Sequence, residues 1–540
     1  MRSLISHRAR SHKIALMSDS TFYITTPIYY VTAAPSIGSA YTTVAADVLA
    51  RWHRQRGEDT WFLTGTDEHG QKVMQAALEN NMSPREWTDH LVATEWKPVL
   101  DVIDASNDQF IRTTDEDHVE RVKKFWQTIY DSGDVYEDDF EGPYCVACEE
   151  FKLEGELIEV AGKKLCPIHE RPVDTIKERN YFFRLSKYRD RLLALYENEP
   201  TFVQPETARN EVISFVSNEL RDLSITRTTF DWGIEVPWDK EHVLYVWIDA
   251  LLNYATAVGY GEDPNTSAGQ SFAKKWPASV QLVGRDILRF HAVIWPAMLM
   301  AAGVAVPQQV FAHGWLLVGG QKMSKSKATA IHPSEIVDTF GSDAYRYYFM
   351  RAINFGSDGS FSWEHLHAVY TAELANGSGN LASRVAAMVG KYFDGALPAA
   401  TDVGAAEEKV HQAVAASVAK ANAAIDRLAI HEAMEAIDEC VGAVNGYLSD
   451  EEPWQVAKDE TKRDRLATIL YTAAEALRVI AVLYAPVMPK TAHALWELLG
   501  AQPHLGELAN QNINTTGEWG QLPAGATITK GDALFPRIDA

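Results

Sequence analysis

The order of apolar and polar residues near the start of the chain predicts a strand, a turn and a helix. Thr21 to Tyr30 is rich in β-branched and aromatic residues, as a buried strand is. A turn with proline and glycine follows, and between residues 41 and 54 apolar side chains recur at helical spacing. A second predicted strand, Asp59 to Thr66, ends in the polar loop Asp67-Glu68-His69-Gly70. Open α/β sheets bind ligands at the carboxyl ends of their strands, so this pattern indicates a nucleotide-binding unit.

Further along the chain the pattern changes twice. From about Asp131 the sequence is acidic and irregular, which indicates an insertion rather than more of the sheet. Strand-like apolar sequence returns at Val243 to Ile248 and at Val280 to Val283, and each stretch is followed by a helical run. Beyond about Thr371, Ala-rich helical segments follow one another, with no convincing strand until close to the end of the chain.

These elements predict an α/β fold: a split, doubly wound, Rossmann-like parallel-sheet domain with an insertion, followed by an all-α C-terminal bundle. The predicted divisions are a flexible N-terminal segment at 1–20, the first half of the sheet domain at 21–130, the insertion at 131–240, the second half at 241–310, a connecting domain at 311–370 and the helical domain at 371–540.

Composition narrows the class of protein. The 540 residues are 46% hydrophobic and 23% charged, which is typical of a large globular protein and excludes a disordered or collagen-like chain. With 50 basic and 73 acidic residues the net charge is −23, so any contact with nucleic acid requires a local basic or aromatic patch. The longest apolar stretch, Ala292 to Pro307, is interrupted by proline and too short for a membrane helix, so we expect no membrane contact.

The first 17 residues contain four basic residues and no acidic residue. Such a segment is typical of an organelle transit peptide. An upstream start codon before Met17, which adds a flexible tail, explains it as well and is the favoured interpretation.

Three of the four cysteines cluster in the insertion. Cys145, Cys148, Cys166 and His169 form two close pairs of soft ligands, which favours metal ligation over disulfide bonds. Two such pairs can converge tetrahedrally on zinc, and four protein ligands leave no position open for water. The spacing therefore predicts a structural zinc site, with chance clustering of buried cysteines as the alternative.

A second motif is Lys322-Met323-Ser324-Lys325-Ser326, which follows Gly319 and Gly320. A glycine-hinged loop with two lysines and two hydroxyls can move and can place cations on phosphate oxygens. Considered alone, a short basic loop is equally typical of an ordinary solvated surface. Its interpretation depends on the motifs around it.

Four motifs in this order resemble those of the methionyl-tRNA synthetases, which are class I aminoacyl-tRNA synthetases: the strand, turn and helix around residues 26–30, the loop 64–70, the cysteine pairs and the lysine loop. The resemblance implies ATP-dependent ligation of L-methionine to initiator and elongator tRNA(Met) through methionyl-adenylate, with release of AMP and diphosphate. It also implies magnesium with ATP, a structural zinc ion, a cytoplasmic location and, because no further RNA-binding module follows the bundle, a monomer. A class I enzyme for isoleucine, valine or leucine fits poorly, since those carry a much larger editing insertion.

The resemblance places the ATP phosphates between the first helix and the lysine loop. It implies a catalytic set of Ser36, Gly38, Ser39, Lys322 and Lys325, and an ATP-binding set of Gly284, Asp286, Ser324 and Ser326. Where the family has His-Ile-Gly-His this chain has Ser36-Ile37-Gly38-Ser39, and a hydroxyl cannot become cationic. We expect the serines, the helix N-terminus and the two lysines to share the phosphate charge. The alternative is a synthetase-derived tRNA-binding or regulatory protein that has lost adenylation.

The resemblance also assigns two recognition sites. Asp67 would hold the methionine ammonium group, and the thioether would be enclosed by Ile28, Tyr30, Trp247, Ala250, Tyr254, Ile287 and His291. Asn376, Asn380 and Arg384 are spaced four residues apart on one helix face and, together with Trp454, would read the CAU anticodon. For any single one of these residues, ordinary packing or a random polar surface is the alternative.

Overall fold

The structure, a computed structural model, describes residues 21–145, 150–152, 154–160, 162–167, 171–218, 220–319, 321–322 and 330–538. The predicted N-terminal segment and two predicted zinc ligands, Cys148 and His169, lie outside these residues. So do residues 323–329, which include Ser324, Lys325 and Ser326 of the lysine loop, and of Lys322 the structure describes the backbone.

The first part of the chain alternates strands and helices as the hydrophobic pattern predicts. The strand predicted over residues 21–30 is β1, and the helix predicted from residue 41 begins earlier, directly after Ser36. The elements are β1 (Thr21–Tyr30), α1 (Ile37–Gln55), β2 (Asp59–Asp67), α2 (Gln71–Glu79), α3 (Pro84–Leu91), α4 (Lys97–Val102), β3 (Gln109–Arg112) and α5 (Glu116–Asp131).

The insertion consists of small antiparallel sheets and two helices. Its elements are β4 (Val135–Cys145), β5 (Glu150–Phe151), β6 (Ile158–Val160), β7 (Lys163–Leu165), β8 (Asp174–Phe183), α6 (Arg189–Asn198), β9 (Val203–Gln204), α7 (Glu206–Asn218), β10 (Leu223–Ser224), β11 (Thr226–Arg227), β12 (Glu235–Val236) and β13 (Asp239–Leu244). The long strands β4 and β8 pair antiparallel and carry the cysteine-containing segment at their far end.

The second half of the sheet domain completes a parallel sheet. It comprises α8 (Val246–Ala250), α9 (Asn253–Thr256), α10 (Ser267–Lys275), β14 (Val280–Gly284), α11 (Trp295–Ala301) and β15 (Val310–His313). The strand order is β3-β2-β1-β14-β15-β9, and every neighbouring pair is parallel. The order reverses between β1 and β14, and a doubly wound sheet binds its ligand outside the carboxyl ends of the strands at that point.

Two details of this sheet differ from the sequence prediction. The strand predicted over Val243 to Ile248 is wrong in its extent and its sheet, because β13 ends at Leu244, pairs antiparallel with β11 and β12, and is followed by α8. A short apolar run does not by its periodicity distinguish a buried strand from a buried helix. The edge strand β9 comes from within residues 131–240, the segment predicted to be an insertion.

Alternating side chains of the sheet strands enter two hydrophobic cores. Phe22 and Ile24 of β1 pack into a core shared with α1 and the helical domain, whereas Tyr23 packs into a core shared with α5, α11 and the insertion. Covered on both faces, the strands have the burial expected of a parallel sheet.

A connecting segment and a helical bundle follow. The connecting elements are β16 (Leu316–Val318), β17 (Gln321–Lys322), α12 (Pro333–Phe340), α13 (Ser342–Arg351), β18 (Gly359–Phe361) and α14 (Trp363–Val369). The bundle contains a π-helix (Tyr370–Gly379), α15 (Asn380–Phe393), α16 (Ala405–Ile425), α17 (Ile430–Glu451), α18 (Pro453–Val456), α19 (Arg463–Tyr484), α20 (Pro489–Leu498) and α21 (Gln502–Leu505). This confirms the predicted all-α C-terminal region.

Among the described residues, one helix is long and apolar enough to span a membrane by length and composition. It covers Glu460–Tyr484, and 94% of its most apolar window is buried inside the protein. It contacts the other helices of the bundle on all sides, and this packing accounts for its apolar composition.

A buried arginine joins the sheet domain to the bundle. Arg346 of α13 donates to the Asp47 carboxylate of α1 at 2.6 Å, to Ile103 O at 3.1 Å and to Val487 O at 2.7 Å. The first two partners belong to the sheet domain and the third to the turn between α19 and α20. A desolvated guanidinium held by several acceptors fixes the relative position of these elements.

Candidate active site

A small cavity lies at the carboxyl ends of β1 and β2, beside α8 and α9. Every residue predicted to hold methionine lines it, with the exception of Tyr30: its walls are Pro27, Ile28, Asp67, Trp247, Ala250, Leu251, Tyr254, Ile287 and His291. Tyr30 packs edge to face on one of these wall residues, Trp247, with ring centroids 6.0 Å apart. Pro27 and Leu251 were not predicted, although Leu251 follows Trp247 by one helical turn and its spacing could have revealed it.

Two polar groups of the cavity wall, His291 and Tyr254, are uncharged and fixed in orientation. His291 Nδ1 lies 3.0 Å from Ile287 O, which can only accept, so Nδ1 carries the proton. Nε2 then accepts from the Tyr254 hydroxyl at 2.7 Å. Burial lowers the pKa of His291 to about 4 and raises that of Tyr254. Both groups are therefore neutral over the physiological range, and this part of the cavity suits an uncharged side chain.

The carboxylate Asp67 stands at the end of β2, next to a buried and fully hydrogen-bonded neighbour. Asp67 is 2% exposed. The adjacent Glu68 accepts from the Arg112 guanidinium at 2.7 and 2.8 Å and from the hydroxyls of Thr66 and Thr114, each at 2.6 Å. These bonds hold the loop that follows β2, so the position of the Asp67 carboxylate is defined by the sheet beneath it.

The predicted phosphate end of the site lies at the start of α1. Ser36 occupies the N-cap, and the Ser39 hydroxyl accepts from Ser36 N–H at 3.1 Å and donates to Ser36 O at 2.8 Å. Ile37 N–H donates to Ile331 O at 2.9 Å, so the chain just beyond the lysine loop is bonded to the helix start. On the other side of that loop, Lys322 pairs with Leu317 in a two-stranded hairpin. The C-terminal end of the lysine loop is therefore held at the start of α1, and its N-terminal end is held by the hairpin.

Gly284 and Asp286 follow β14, across the switch point from β1. A Cβ at Gly284 would lie 2.6 Å from a carboxylate oxygen of Asp286, so a larger residue there would displace that side chain. Asp286 is exposed, as a residue at the mouth of a site must be. The neighbouring His313, which sequence reasoning missed, donates from Nδ1 to Gly314 O at 2.8 Å and accepts from Thr42 at 2.7 Å, and burial lowers its pKa.

Two of the predicted zinc ligands fall within the described residues. Cys145 and Cys166 are both buried. Cys145 pairs with Glu150, and Cys166 N–H donates to Arg171 O. In sequence, the first pair brackets Cys148 and the second brackets His169. The described part of the chain holds no group of three or more metal-ligating side chains.

In the helical domain the structure brings the predicted recognition residues together. Asn376 of the π-helix and Asn380 at the start of α15 are exposed, and the Arg384 guanidinium lies 5.5 Å from the centre of the Trp454 ring. Trp454 is 37% exposed. We call these four residues the polar stripe. Sequence reasoning missed Asn445 of α17, which accepts from Arg384 at 3.4 Å and donates to Gly377 O at 3.4 Å.

Comparison with known families agrees with this division of the chain. Residues 22–386 match the class I tRNA synthetases (M), and residues 397–540 match the anticodon binding domain of methionyl tRNA ligase. The chain is 58% identical over 525 residues to a methionine–tRNA ligase of Streptomyces coelicolor, covering 96% of this chain and 97% of the relative. It is 48% identical to that of Caldanaerobacter subterraneus, covering 96% of this chain and 79% of the relative.

Solved structures of methionyl-tRNA synthetases have the same fold as this chain. Mycobacterium tuberculosis methionyl-tRNA synthetase in complex with methionyl-adenylate superposes with a TM-score of 0.91 at 40% identity, covering 96% of this chain and all of the other. The free form of that enzyme superposes with a TM-score of 0.84 at 38% identity, covering 96% of this chain and 99% of the other.

Proposed function

The chain belongs to the class I methionyl-tRNA synthetases, and we propose that the residues described above carry out that family's reaction. The enzyme activates L-methionine with ATP to methionyl-adenylate, releasing diphosphate. It then transfers the methionyl group to tRNA(Met), releasing AMP. The observation that carries the assignment of residues is the cavity between β1, β2 and α8, which assembles side chains that lie more than 200 positions apart in the sequence.

Methionine binds with its ammonium group at Asp67 and its thioether in the cavity. A buried carboxylate suits an ammonium group, and the aromatic and aliphatic walls suit a polarizable sulfur. Because His291 and Tyr254 are neutral and hydrogen-bonded to each other, a charged side chain in the cavity would find no countercharge from them. This selects against lysine, arginine and the acidic amino acids.

ATP binds with its ribose at Asp286 and Gly284 and its phosphates between α1 and the lysine loop. Gly38 allows the nucleotide to approach the backbone, and Lys322, Lys325, Ser324 and Ser326 contact the phosphates. Ser36 and Ser39 support the turn at the start of α1, where the helix dipole favours negative charge. Magnesium bound with ATP would supply further positive charge at the phosphates.

The second lysine of this loop offers a test of the phosphate assignment. Lys325→Ala should slow adenylation much more than it weakens methionine binding, because negative charge develops on the phosphates mainly in the transition state. Single-turnover adenylation and equilibrium binding of methionine measure the two quantities. Equal effects on both would refute the assignment.

The polar stripe reads the CAU anticodon of initiator and elongator tRNA(Met). Asn376, Asn380 and Arg384 supply hydrogen bonds to base edges, and Trp454 supplies a plane for an unstacked base. Asn445 holds Arg384 in place. A small stripe of this kind allows an acidic protein to bind RNA without a large basic surface.

The proposal also includes a bound metal ion, the quaternary state and the cellular location of the protein. Cys145, Cys148, Cys166 and His169 would hold a structural zinc ion, supported by their spacing and by the burial of Cys145 and Cys166. Elemental analysis of the purified protein and of Cys145→Ser tests this, with loss of bound zinc expected in the variant.

We further propose that the protein is a monomer and that it is located in the reducing cytoplasm. Sedimentation equilibrium tests the first statement and cell fractionation tests the second.

Methionine-dependent exchange of pyrophosphate into ATP tests the proposal as a whole. We expect exchange with methionine and a background rate with the other nineteen amino acids. Absence of methionine-dependent exchange would instead support a tRNA-binding protein that has lost adenylation, an alternative that the full-length similarity to methionine–tRNA ligases does not favour.

A further inference from the structure

A buried carboxylate, Asp249, lies behind the proposed methionine site and joins two histidines. Its Oδ2 lies 2.7 Å from His69 Nδ1 and its Oδ1 lies 2.8 Å from His118 Nε2, and all three side chains are buried. Burial alone would raise the pKa of Asp249, but the two imidazoles hold it below its ordinary value. Asp249 is therefore ionised at neutral pH, and the ring nitrogens that face it donate protons.

Hydrogen bonds on both sides of the ring fix the orientation of His118. Its Nε2–H donates to Asp249, and its Nδ1 lies 2.7 Å from the Thr256 hydroxyl. Thr256 and Asp249 both belong to the segment that follows β13, so His118 of α5 is bonded to this segment at two points.

The segment of residues 246–256 presents two opposite faces. Trp247, Ala250 and Tyr254 line the methionine cavity at helical spacing. Asp249 stands about 200° around the helix from Trp247, and Thr256, seven residues later, shares its face. The cavity wall and the carboxylate that contacts the histidines are therefore two sides of one short helical segment.

The bonds of Asp249 connect the two halves of the sheet domain. His69 belongs to the loop that carries Asp67 and His118 belongs to α5, both in the first half, whereas Asp249 belongs to the second half. The partners of Glu68, which lie on β2, β3 and the turn after β3, all belong to the first half. The Tyr23 hydroxyl also crosses between the halves and donates to Tyr254 O at 2.8 Å, but the His69 to Asp249 bond is the one made by the residues that follow Asp67.

We propose that Asp249 is a positioning residue for methionine binding. Through His69 it holds the Asp67 loop, and through its own backbone it holds the face formed by Trp247, Ala250 and Tyr254. The two ends of methionine contact these two elements, so the separation that Asp249 maintains matches the length of the substrate. The inference rests on the proposed assignment of the ammonium group to Asp67.

Two variants of His69 isolate the hydrogen bond to Asp249 without removing the carboxylate. The amide nitrogen of asparagine can occupy the place of Nδ1, whereas that of glutamine corresponds to Nε2. We expect Asp249→Asn and His69→Gln to raise the KM for methionine in pyrophosphate exchange about ten- to a hundredfold, the range for hydrogen bonds to charged groups. His69→Asn should restore most of the affinity.

Two further readouts distinguish positioning from a general loss of structure. In all three variants the KM for ATP should stay within about twofold of wild type. The kcat should change less than the KM for methionine, because the lost interaction stabilises the ground state and the transition state alike.

A matched control is His242→Gln. His242 is also a buried histidine near a carboxylate, Asp239, but it lies on β13 and contacts Thr226. Its methionine KM should equal that of wild type within about twofold. Thermal unfolding of each variant shows whether the fold is retained, and if Asp249→Asn fails to fold, the two His69 variants decide.

The outcomes separate this inference from the proposed function. If wild type shows no methionine-dependent exchange, the proposed function itself fails. If wild type is active and His69→Gln has a normal methionine KM, or if His69→Asn is as impaired as His69→Gln, the positioning role is overturned. A parallel rise in the KM for ATP and for methionine also overturns it, because that pattern reports general loosening of the domain.

Discussion

The methionine cavity and the polar stripe are built in opposite ways. In the cavity, Asp67 and His291 are buried, and behind them lies a second layer of polar groups, Glu68 and Asp249 among them, bonded to several partners each. In the polar stripe the recognition side chains are exposed or half-buried, and Asn445 is the support seen for Arg384. In a buried site the positions of the recognition side chains depend on the residues packed behind them. In an exposed stripe recognition depends mainly on the recognition side chains themselves.

The sheet domain and the helical bundle also differ in how their surroundings shift the pKa of a carboxylate that is shielded from solvent. Asp249 lies between two imidazoles, which lower its pKa against the effect of burial. Asp438 of α17 is half-buried in the bundle, and the partial loss of solvent raises its pKa to about 6 despite bonds from Tyr347 and Arg351, while Glu373 adds a like charge nearby. At neutral pH the charge of Asp249 is stabilised by its surroundings and that of Asp438 is not.

The largest expected effect lies in the cavity. Asp67→Asn should lower kcat/KM for methionine in pyrophosphate exchange about a hundred- to a thousandfold, since truncating a buried charge pair typically removes 2–5 kcal/mol. Asp89→Asn, which changes a half-exposed carboxylate on Arg112, is the matched control and should stay within about threefold. Similar losses in both variants would contradict the contrast between buried and exposed positions.

The pH dependence of stability tests the second contrast. The folded pKa of Asp438 lies above the unfolded value of 3.8, so ionisation opposes folding, and stability is lost as pH rises from about 4 through about 6. The shift, 6 − 3.8 = 2.2, corresponds to roughly 3 kcal/mol at neutral pH. Asp438→Asn should therefore gain in unfolding midpoint relative to wild type between pH 4.5 and 7.5. A constant difference across that range would show that the carboxyl does not titrate there.

In the polar stripe the expected effect is smaller and confined to tRNA. Trp454→Ala should raise the KM for tRNA about tenfold, within the 1–3 kcal/mol of a stacked base, and should leave methionine-dependent exchange intact. Trp363→Ala is the control, since Trp363 is 40% exposed on α14, outside the stripe. Equal effects of the two variants on aminoacylation would remove Trp454 from anticodon recognition.

The smallest effect is expected at the start of α1. Ser39→Ala should reduce pyrophosphate exchange less than tenfold, because its hydroxyl already bonds both backbone groups of Ser36 and its loss resembles loss of a helix cap, typically about 1 kcal/mol. Single-turnover adenylation measures the effect. A loss of two orders of magnitude or more would mean that the hydroxyl leaves Ser36 and contacts the phosphates.

Much of the fold and part of the site followed from local sequence. Composition and periodicity indicated β1, α1 and the helical domain because a buried strand and an amphipathic helix leave different repeats. The apolar run after Val243 was ambiguous, because a continuous apolar run fits a buried strand and a buried helix equally well. Its secondary structure depended on packing against α5 and the Asp67 loop. The edge strand β9 was missed because two residues carry no periodicity.

Sequence alone determined which chemical groups are available: the carboxylate after β2, the aromatic residues at helical spacing after Tyr245, and the four-residue spacing of the polar stripe. Tertiary structure alone decided which of these groups contact one another. It packed Tyr30 edge to face on Trp247, made His291 neutral by burial, and brought Asp249 between His69 and His118. The physical reason is that spacing along a chain fixes only neighbours on one element, whereas burial and hydrogen-bond partners arise when distant elements pack together.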